Sequence, residues 1–540
     1  MSACGLFVRK KLFLPVLFVL ITGLIFTGCG KTASTEKAQT EGMQSVSSQD
    51  KIPVYTVADP TGDWGYPTPY SHYQRGPGYV RMSFIFDTLV WKDEKGYIPA
   101  LAKKWEYIEG ENAYYFELNE KAKWHDGQKF TARDVAFTFD YTREHPYNWV
   151  DTTKIARVEI IDDYKVKVYL KEKYAPFLNN VAGTLPILPE HIWKQVEKPE
   201  EFQGPEAVIG TGPFKLADYN KEQGTYLYEA NRDYYLGSPR VEKLKFVKVS
   251  NEMAAAALER GEVNFAQIPP DLKDEVVSKG FSVIKIKYDW ALKLLFNHRK
   301  EPFSAREFRQ ALAYAIDREQ LVKTTKRGYA LAGKPGLLSP DSEWYNPNVN
   351  KYDYNPEKVK ELLSGLGYEL KNGYFVKNGQ ELTVELLISP DYERDGQFIK
   401  QQLEKVGIKV NLKSLEAKTL DSMVQDWKFD MALSGHGGLG GDAEILNKVT
   451  IGKGVTSIRY TSSKILTGLL KEQVATMNPD ERKAKVEKIQ ELYAEEMPGL
   501  TLYYPDWYYG HDGKIRLFNT KKGIGFGVPL PLNKWAFVRQ

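Results

Sequence analysis

The sequence predicts an α/β protein with a more β-rich piece in its first half, on three observations. Residues 251–260 read as a helix that passes through Gly261 straight into Val263-Asn264-Phe265, and residues 398–406 pass through Gly407 into 408–412. Helix followed at once by strand is the half-unit of an α/β layer, and glycine supplies the left-handed residue that ends each helix. Between about residues 91 and 170 strand patterns dominate and helices are few. The third observation is size: 540 residues, 42% hydrophobic and 27% charged, are globular proportions and enough chain for two to four folding units.

In chain order, the first element is a leader. Arg9-Lys10-Lys11 precedes a 17-residue apolar stretch from Leu12 to Gly28, short of the about 20 residues a permanent span needs, and it ends in small residues. Residues 1–28 therefore read as a signal peptide. Phe26-Thr27-Gly28-Cys29 resembles a bacterial lipobox, with Phe26 where Leu is usual, and the resemblance implies a lipid on Cys29 and attachment to a membrane surface. Residues 29–50 read as a flexible tether, because Gly30 to Asp50 holds no aromatic residue and is rich in Ser, Thr, Gln, Lys and Glu. The other of the 2 Cys, Cys4, leaves with the leader, so no disulfide is expected. The net charge is +4, of which Arg9, Lys10 and Lys11 supply three, and nothing in the remainder asks for nucleic acid.

The body begins near residue 51. Lys165–Leu170 and residues 243–249 alternate charged and apolar residues, the period of a half-exposed strand. Thr131-Ala-Arg-Asp134 and Ser304-Ala-Arg-Glu307 read as capping boxes, and Asn355-Pro356 and Asn478-Pro479 as cap plus first-turn proline.

Several segments, in order, resemble the family 5 extracellular solute-binding proteins, peptide- and nickel-binding receptors of ATP-driven importers. They are Phe86-Asp-Thr-Leu-Val90, Pro99-Ala-Leu-Ala102 with Trp105, Tyr115-Phe-Glu-Leu118, Trp124-His-Asp-Gly127 with Phe130-Thr-Ala-Arg-Asp-Val135, Ile209-Gly-Thr-Gly-Pro-Phe214, and the stretch from Arg309 to Arg318. The resemblance implies a two-lobed, periplasmic-binding-protein-like fold that closes on its ligand by a hinge, with an additional β-rich subdomain in the first lobe. Carried onto this chain, lobe I is 51–290 plus 500–540, with the subdomain at 91–207, and lobe II is 291–499. It further implies an exported, membrane-anchored receptor, working as a monomer, that takes peptides or another small solute in the interlobe cleft and passes them to the permease subunits of an ABC importer. No cofactor and no catalysis are expected.

A strand over 428–434 runs into Gly435-His-Gly-Gly-Leu-Gly-Gly-Asp442. Glycines allow close approach, and free amides and carbonyls there can pair with a peptide main chain. In the resembled family this region lines the cleft, so Gly435, His436 and Gly437 are expected ligand contacts, and Asp442 either meets an α-amino group or caps the next helix. His436 either touches a nickel chelate or contacts ligand without metal. Gly435-x-Gly437-x-x-Gly440 also fits a dinucleotide fingerprint, but lacks the acidic residue about 20 positions on. Tyr66, Tyr70, His72, Tyr73, Arg75 and Tyr79 form one aromatic cluster, and Tyr503, Tyr504, Trp507, Tyr508 and Tyr509 another. About a third of these are expected to line the cleft, with Tyr73 and Trp507 as walls and Arg75 receiving a carboxylate.

Enzyme signatures fail: the 7 His contain no His-Glu-x-x-His, no Gly-x-Ser-x-Gly occurs, and the phosphate-loop-like Gly328 to Lys334 continues with Pro335. A nickel chelate or an oligosaccharide remains an alternative cargo, and a hydrolase built on paired carboxylates an alternative class.

Overall fold

A computed structural model describes residues 51–454, 456–525 and 527–538. The leader, Cys29 and the tether lie outside the described residues.

Among the described residues two large sheets carry the architecture. In the first, seven strands lie in the order Ser282–Lys285, Tyr508–His511, Phe265–Ile268, Ile52–Asp59, Val241–Lys248, Thr225–Ala230, Phe214–Asn220. Ile52–Asp59 runs parallel to both Val241–Lys248 and Phe265–Ile268. In the second, six strands lie in the order Ala330–Ala332, Gly499–Pro505, Ala291–Phe296, Met431–His436, Thr383–Ile388, Lys409–Ser414. A separate four-stranded antiparallel sheet, Ala102–Ile108, Ala113–Leu118, Lys165–Leu170, Ile155–Asp162, packs with the helix Ala132–Glu144 around its own core. This is a two-lobed α/β fold with a β-rich subdomain.

The patterns in the sequence account for these elements. Val166, Val168 and Leu170 are buried while Lys165, Lys167 and Tyr169, which alternate with them, are half-buried, and Val241, Leu244 and Phe246 are the buried set in the first sheet. Thr131 accepts from the amide of Arg133 and Asp134 answers the amide of Thr131 at 2.8 Å, a complete capping box. Asn355 accepts from Lys358, and Asn478 from Asp480 and Glu481. Gly261 and Gly407 sit at φ +70 and +92, the left-handed region that favours glycine. Ser304 is a correction. The helix Arg306–Ala315 starts one residue later, with Ala305 at its cap position and no side chain capping it, because the Ser304 hydroxyl donates to Glu301 instead.

Among the described residues the chain passes between the large sheets twice, at 286–290 and 506–507. The expected return at residue 500 falls later for a packing reason: Gly499–Pro505 pairs with Ala291–Phe296 in the second sheet, and Leu500 and Leu502 are buried in that lobe's core. The two crossings are tied together. The amide of Ile286 donates to the carbonyl of Trp507 at 3.1 Å, and Lys285 Nζ lies 2.8 Å from Asp506. After Tyr508–His511 the chain stays with the first lobe, where Ile515, Phe518, Leu532 and Phe537 complete the core.

Candidate ligand cleft

The strand Met431–His436 ends beside the crossing 286–290, so alternate residues face different surroundings. Met431 and Leu433 point into one core and Ala432 into the other. Gly435 falls on the Leu433 side, flat against the Trp290 indole: a Cβ there would lie 1.8 Å from the ring. Trp290 is the centre of an aromatic wall, with Trp507 at 6.3 Å and Tyr392 at 6.5 Å between ring centroids, all three half-buried. Gly437, just past the strand, is exposed. A space of about 360 Å³ adjoins Trp507, bounded by Gln267 and Asp271 of the first lobe and Arg327 and Arg394 of the second. Arg327 and Asp271 form a 3.1 Å ion pair across it.

The rest of the glycine loop is occupied, contrary to the expectation of free amides. Asp289, buried in the first crossing, accepts from Gly438 N at 2.8 Å and Gly440 N at 2.7 Å. Its own carbonyl takes Leu439 N, and Gly441 N turns back to Gly438 O. Burial pushes the Asp289 carboxyl up to about 7, and the two amide hydrogen bonds only partly oppose that rise. Four successive loop amides are thereby spent inside the protein, which leaves no phosphate cradle either.

Asp442 is equally committed. Its two oxygens lie 2.9 and 2.5 Å from the Arg482 guanidinium, and both side chains are buried. Burial alone would raise the Asp442 carboxyl, but the Arg482 charge holds it below the ordinary value. Asp442 Oδ1 also accepts from Glu444 N at 2.9 Å, closing a turn just ahead of the helix Ile445–Thr450, whose cap position is Glu444 and which has no side-chain cap. Glu444 in turn reaches the subdomain: Tyr174 OH donates to it at 2.8 Å, and the Asn180 amide does so as well.

The family model for the bacterial extracellular solute-binding proteins, family 5 Middle, matches residues 96–449. The chain belongs to this family. It is 28% identical to the oligopeptide-binding protein AppA of Bacillus subtilis (strain 168), covering 92% of this chain and 94% of that protein. Two solved structures show the same fold. AppA from Bacillus subtilis in complex with a nonapeptide aligns with a TM-score of 0.72 at 24% identity, covering 88% of this chain and 97% of that one. NikZ from Campylobacter jejuni in complex with Ni(L-His) aligns with a TM-score of 0.72 at 23% identity, covering 88% and 98%.

In this family 5 solute-binding protein the sequence-selected residues scatter. Trp507 and Gly435 stand on the aromatic wall, and Gly437 lies beside it. His436 is turned to the opposite sheet face from Gly435, only 6% exposed, and neither ring nitrogen has a partner. Tyr73 is exposed and its hydroxyl donates to Asp63 at 3.0 Å. Arg75, exposed at the start of the helix Gly76–Ser83, sets its positive charge against Asp421 of the second lobe, whose carboxyl is raised chiefly by burial. Most other clustered aromatics are structural: the hydroxyls of Tyr66, Tyr70, Tyr79 and Tyr504 donate to the carbonyls of Gly204, His145, Thr184 and Leu337, and Tyr509 stacks on Phe265. Sequence reasoning missed Trp290, Tyr392 and Asp289. Trp290 was within reach, being an aromatic at the start of a strand whose far partner carries glycine. Among the described residues no group of three or more His, Cys, Asp or Glu is placed to hold a metal ion, and no helix is long and apolar enough to cross a membrane.

Proposed function

We propose that the protein is the solute receptor of an ABC importer, and that it captures peptides between its lobes and passes them to the permease without chemical change. The observation that carries this reading is the open strand end at Gly435–Gly437 beside the Trp290, Tyr392 and Trp507 wall. Extended peptides bind by adding main-chain hydrogen bonds to strand backbone that a sheet leaves unpaired, and Met431–His436 pairs with Thr383–Ile388 only through Met431 and Ala432, while aromatic surfaces take peptide side chains. The names of the relatives agree, since AppA of Bacillus subtilis is an oligopeptide-binding protein and its structure holds a nonapeptide. In this reading lobe I is the part built on the first sheet, lobe II the part built on the second, and the crossings 286–290 and 506–507 are the hinge. Arg75 receives a ligand carboxylate, Tyr73 and Trp507 flank the ligand, and no metal or cofactor takes part. The protein is exported, works as a monomer and is held at the outer face of the membrane by a lipid on Cys29; by mass spectrometry Cys29→Ala should be unlipidated, whereas globomycin treatment should leave a lipidated protein that keeps its leader.

The test of cargo is thermal unfolding of the purified protein against di- to nonapeptides, nickel with histidine, and cello-oligosaccharides. A ligand that binds only the folded state adds about 2.7 kcal/mol at a hundredfold excess over its Kd. Stabilisation by peptides supports the reading; stabilisation by nickel-histidine or sugar alone replaces the cargo.

A further inference from the structure

The face of the second sheet turned away from Trp290 carries polar groups that the cleft does not use. Lys293 stands directly opposite Ser434 on one neighbouring strand and Thr501 on the other, and His436 lies opposite Ala291, two residues along. Residues facing each other across paired strands share a sheet face, so these four side chains gather over three adjacent strands. Three of them are buried: Lys293 and Thr501 have no exposed surface and His436 is 6% exposed. They are also under-used. Lys293 Nζ donates to the Thr456 carbonyl at 2.9 Å and faces no carboxylate, while Thr501 Oγ1 and both His436 nitrogens have no partner. Ser434, on the same face, is part exposed.

A buried ammonium without a counter-charge and a buried imidazole without a hydrogen bond are each costly, and such groups are retained where something completes them. The set is one of donors: an ammonium, an imidazole N–H and two hydroxyls. A planar carboxylate is the group that accepts from several donors at once. Burial brings Lys293 down to about 7, and a bound anion would restore its charge.

We infer that Lys293, His436, Ser434 and Thr501 form a carboxylate-binding chamber, filled by an acidic side chain of a bound peptide or by a small free carboxylate. The first source rests on the peptide reading above; the second does not. Calorimetry with matched peptides that differ only by Glu or Gln at one position reads the first, and thermal unfolding in sodium acetate against sodium chloride at equal ionic strength reads the second. A charge-assisted hydrogen bond predicts at least about tenfold tighter binding of a Glu peptide than of its Gln twin. Lys293→Met, which keeps the volume and removes a buried charge, abolishes both that preference and any acetate effect; Thr501→Val weakens them. The wild-type comparisons need no variant, so misfolding of either does not blunt the test. Acetate stabilisation lost in Lys293→Met, with no peptide bound, supports the chamber and defeats the peptide reading. Peptides that bind with no Glu preference, together with equal effects of acetate and chloride, overturn the chamber and leave the peptide reading standing.

Discussion

Asp442→Ala strands the Arg482 guanidinium, which is 4% exposed and depends on that carboxylate for its charge balance. Breaking a buried pair by removing one partner costs about 3–5 kcal/mol, so urea unfolding of Asp442→Ala should show a loss of that order, with most of it recovered in Asp442→Leu/Arg482→Met. A loss of peptide affinity with unchanged stability would instead make Asp442 a ligand contact. Asp289 has the opposite electrostatic sign. Its carboxyl is raised to about 7 in the folded state, so the folded protein binds more protons than the unfolded chain between the ordinary carboxyl value and about 7, and stability from this group falls as pH rises through that window. Asp442 is lowered, so its contribution is present above the ordinary carboxyl value and is lost on acidification below it. Asp289→Asn should flatten the decline toward neutral pH in an unfolding series; an unchanged profile would count against the assignment. Asp289→Ala, which leaves the Gly438 and Gly440 amides without their acceptor, should cost about 2–4 kcal/mol.

The strand Met431–His436 is where local sequence and distant structure meet. Gly435→Ala would drive a Cβ into Trp290, and overpacking of this kind costs about 1–3 kcal/mol. The ring must swing off the wall, so tryptophan fluorescence and peptide affinity should change together; a change in neither would remove Trp290 from the site. Elements whose causes lie within a few residues were readable: the caps at Thr131, Asn355 and Asn478, the helix-ending glycines and the alternating strands. Ser304 was misread because its hydroxyl had a nearer partner in Glu301. The glycine loop was legible as a turn after a strand, but not the acceptor that fills it, since Asp289 lies 149 residues before Gly438 in the chain. Tyr392 joins Trp290 only because separate strands deliver both to one end of a sheet. No spacing in the sequence encodes that.

Across the whole molecule, the second lobe touches the subdomain through Glu444 to Tyr174 and Asn180, and through the amide of Ala175 to the carbonyl of Val474 at 2.8 Å. These contacts join parts that hinge opening would separate, so Glu444→Ala should favour an open form: a larger radius of gyration by solution X-ray scattering without ligand, and peptide affinity lower by about tenfold, the effect of a 1.4 kcal/mol bias between two states. The two-lobed fold was legible through its ordered motifs, whereas the return to the first sheet after Pro505 rather than at residue 500 depended on pairing that only the assembled sheet reveals. The central claim is that the two lobes close on a peptide at the Trp290 wall. Isothermal titration calorimetry of the purified protein with a defined set of di- to nonapeptides tests it most directly, read beside Gly435→Ala. The account predicts saturable binding at one site per chain by at least one peptide length, weakened in Gly435→Ala; no heat with any peptide, alongside clear binding of nickel-histidine or an oligosaccharide, would contradict it.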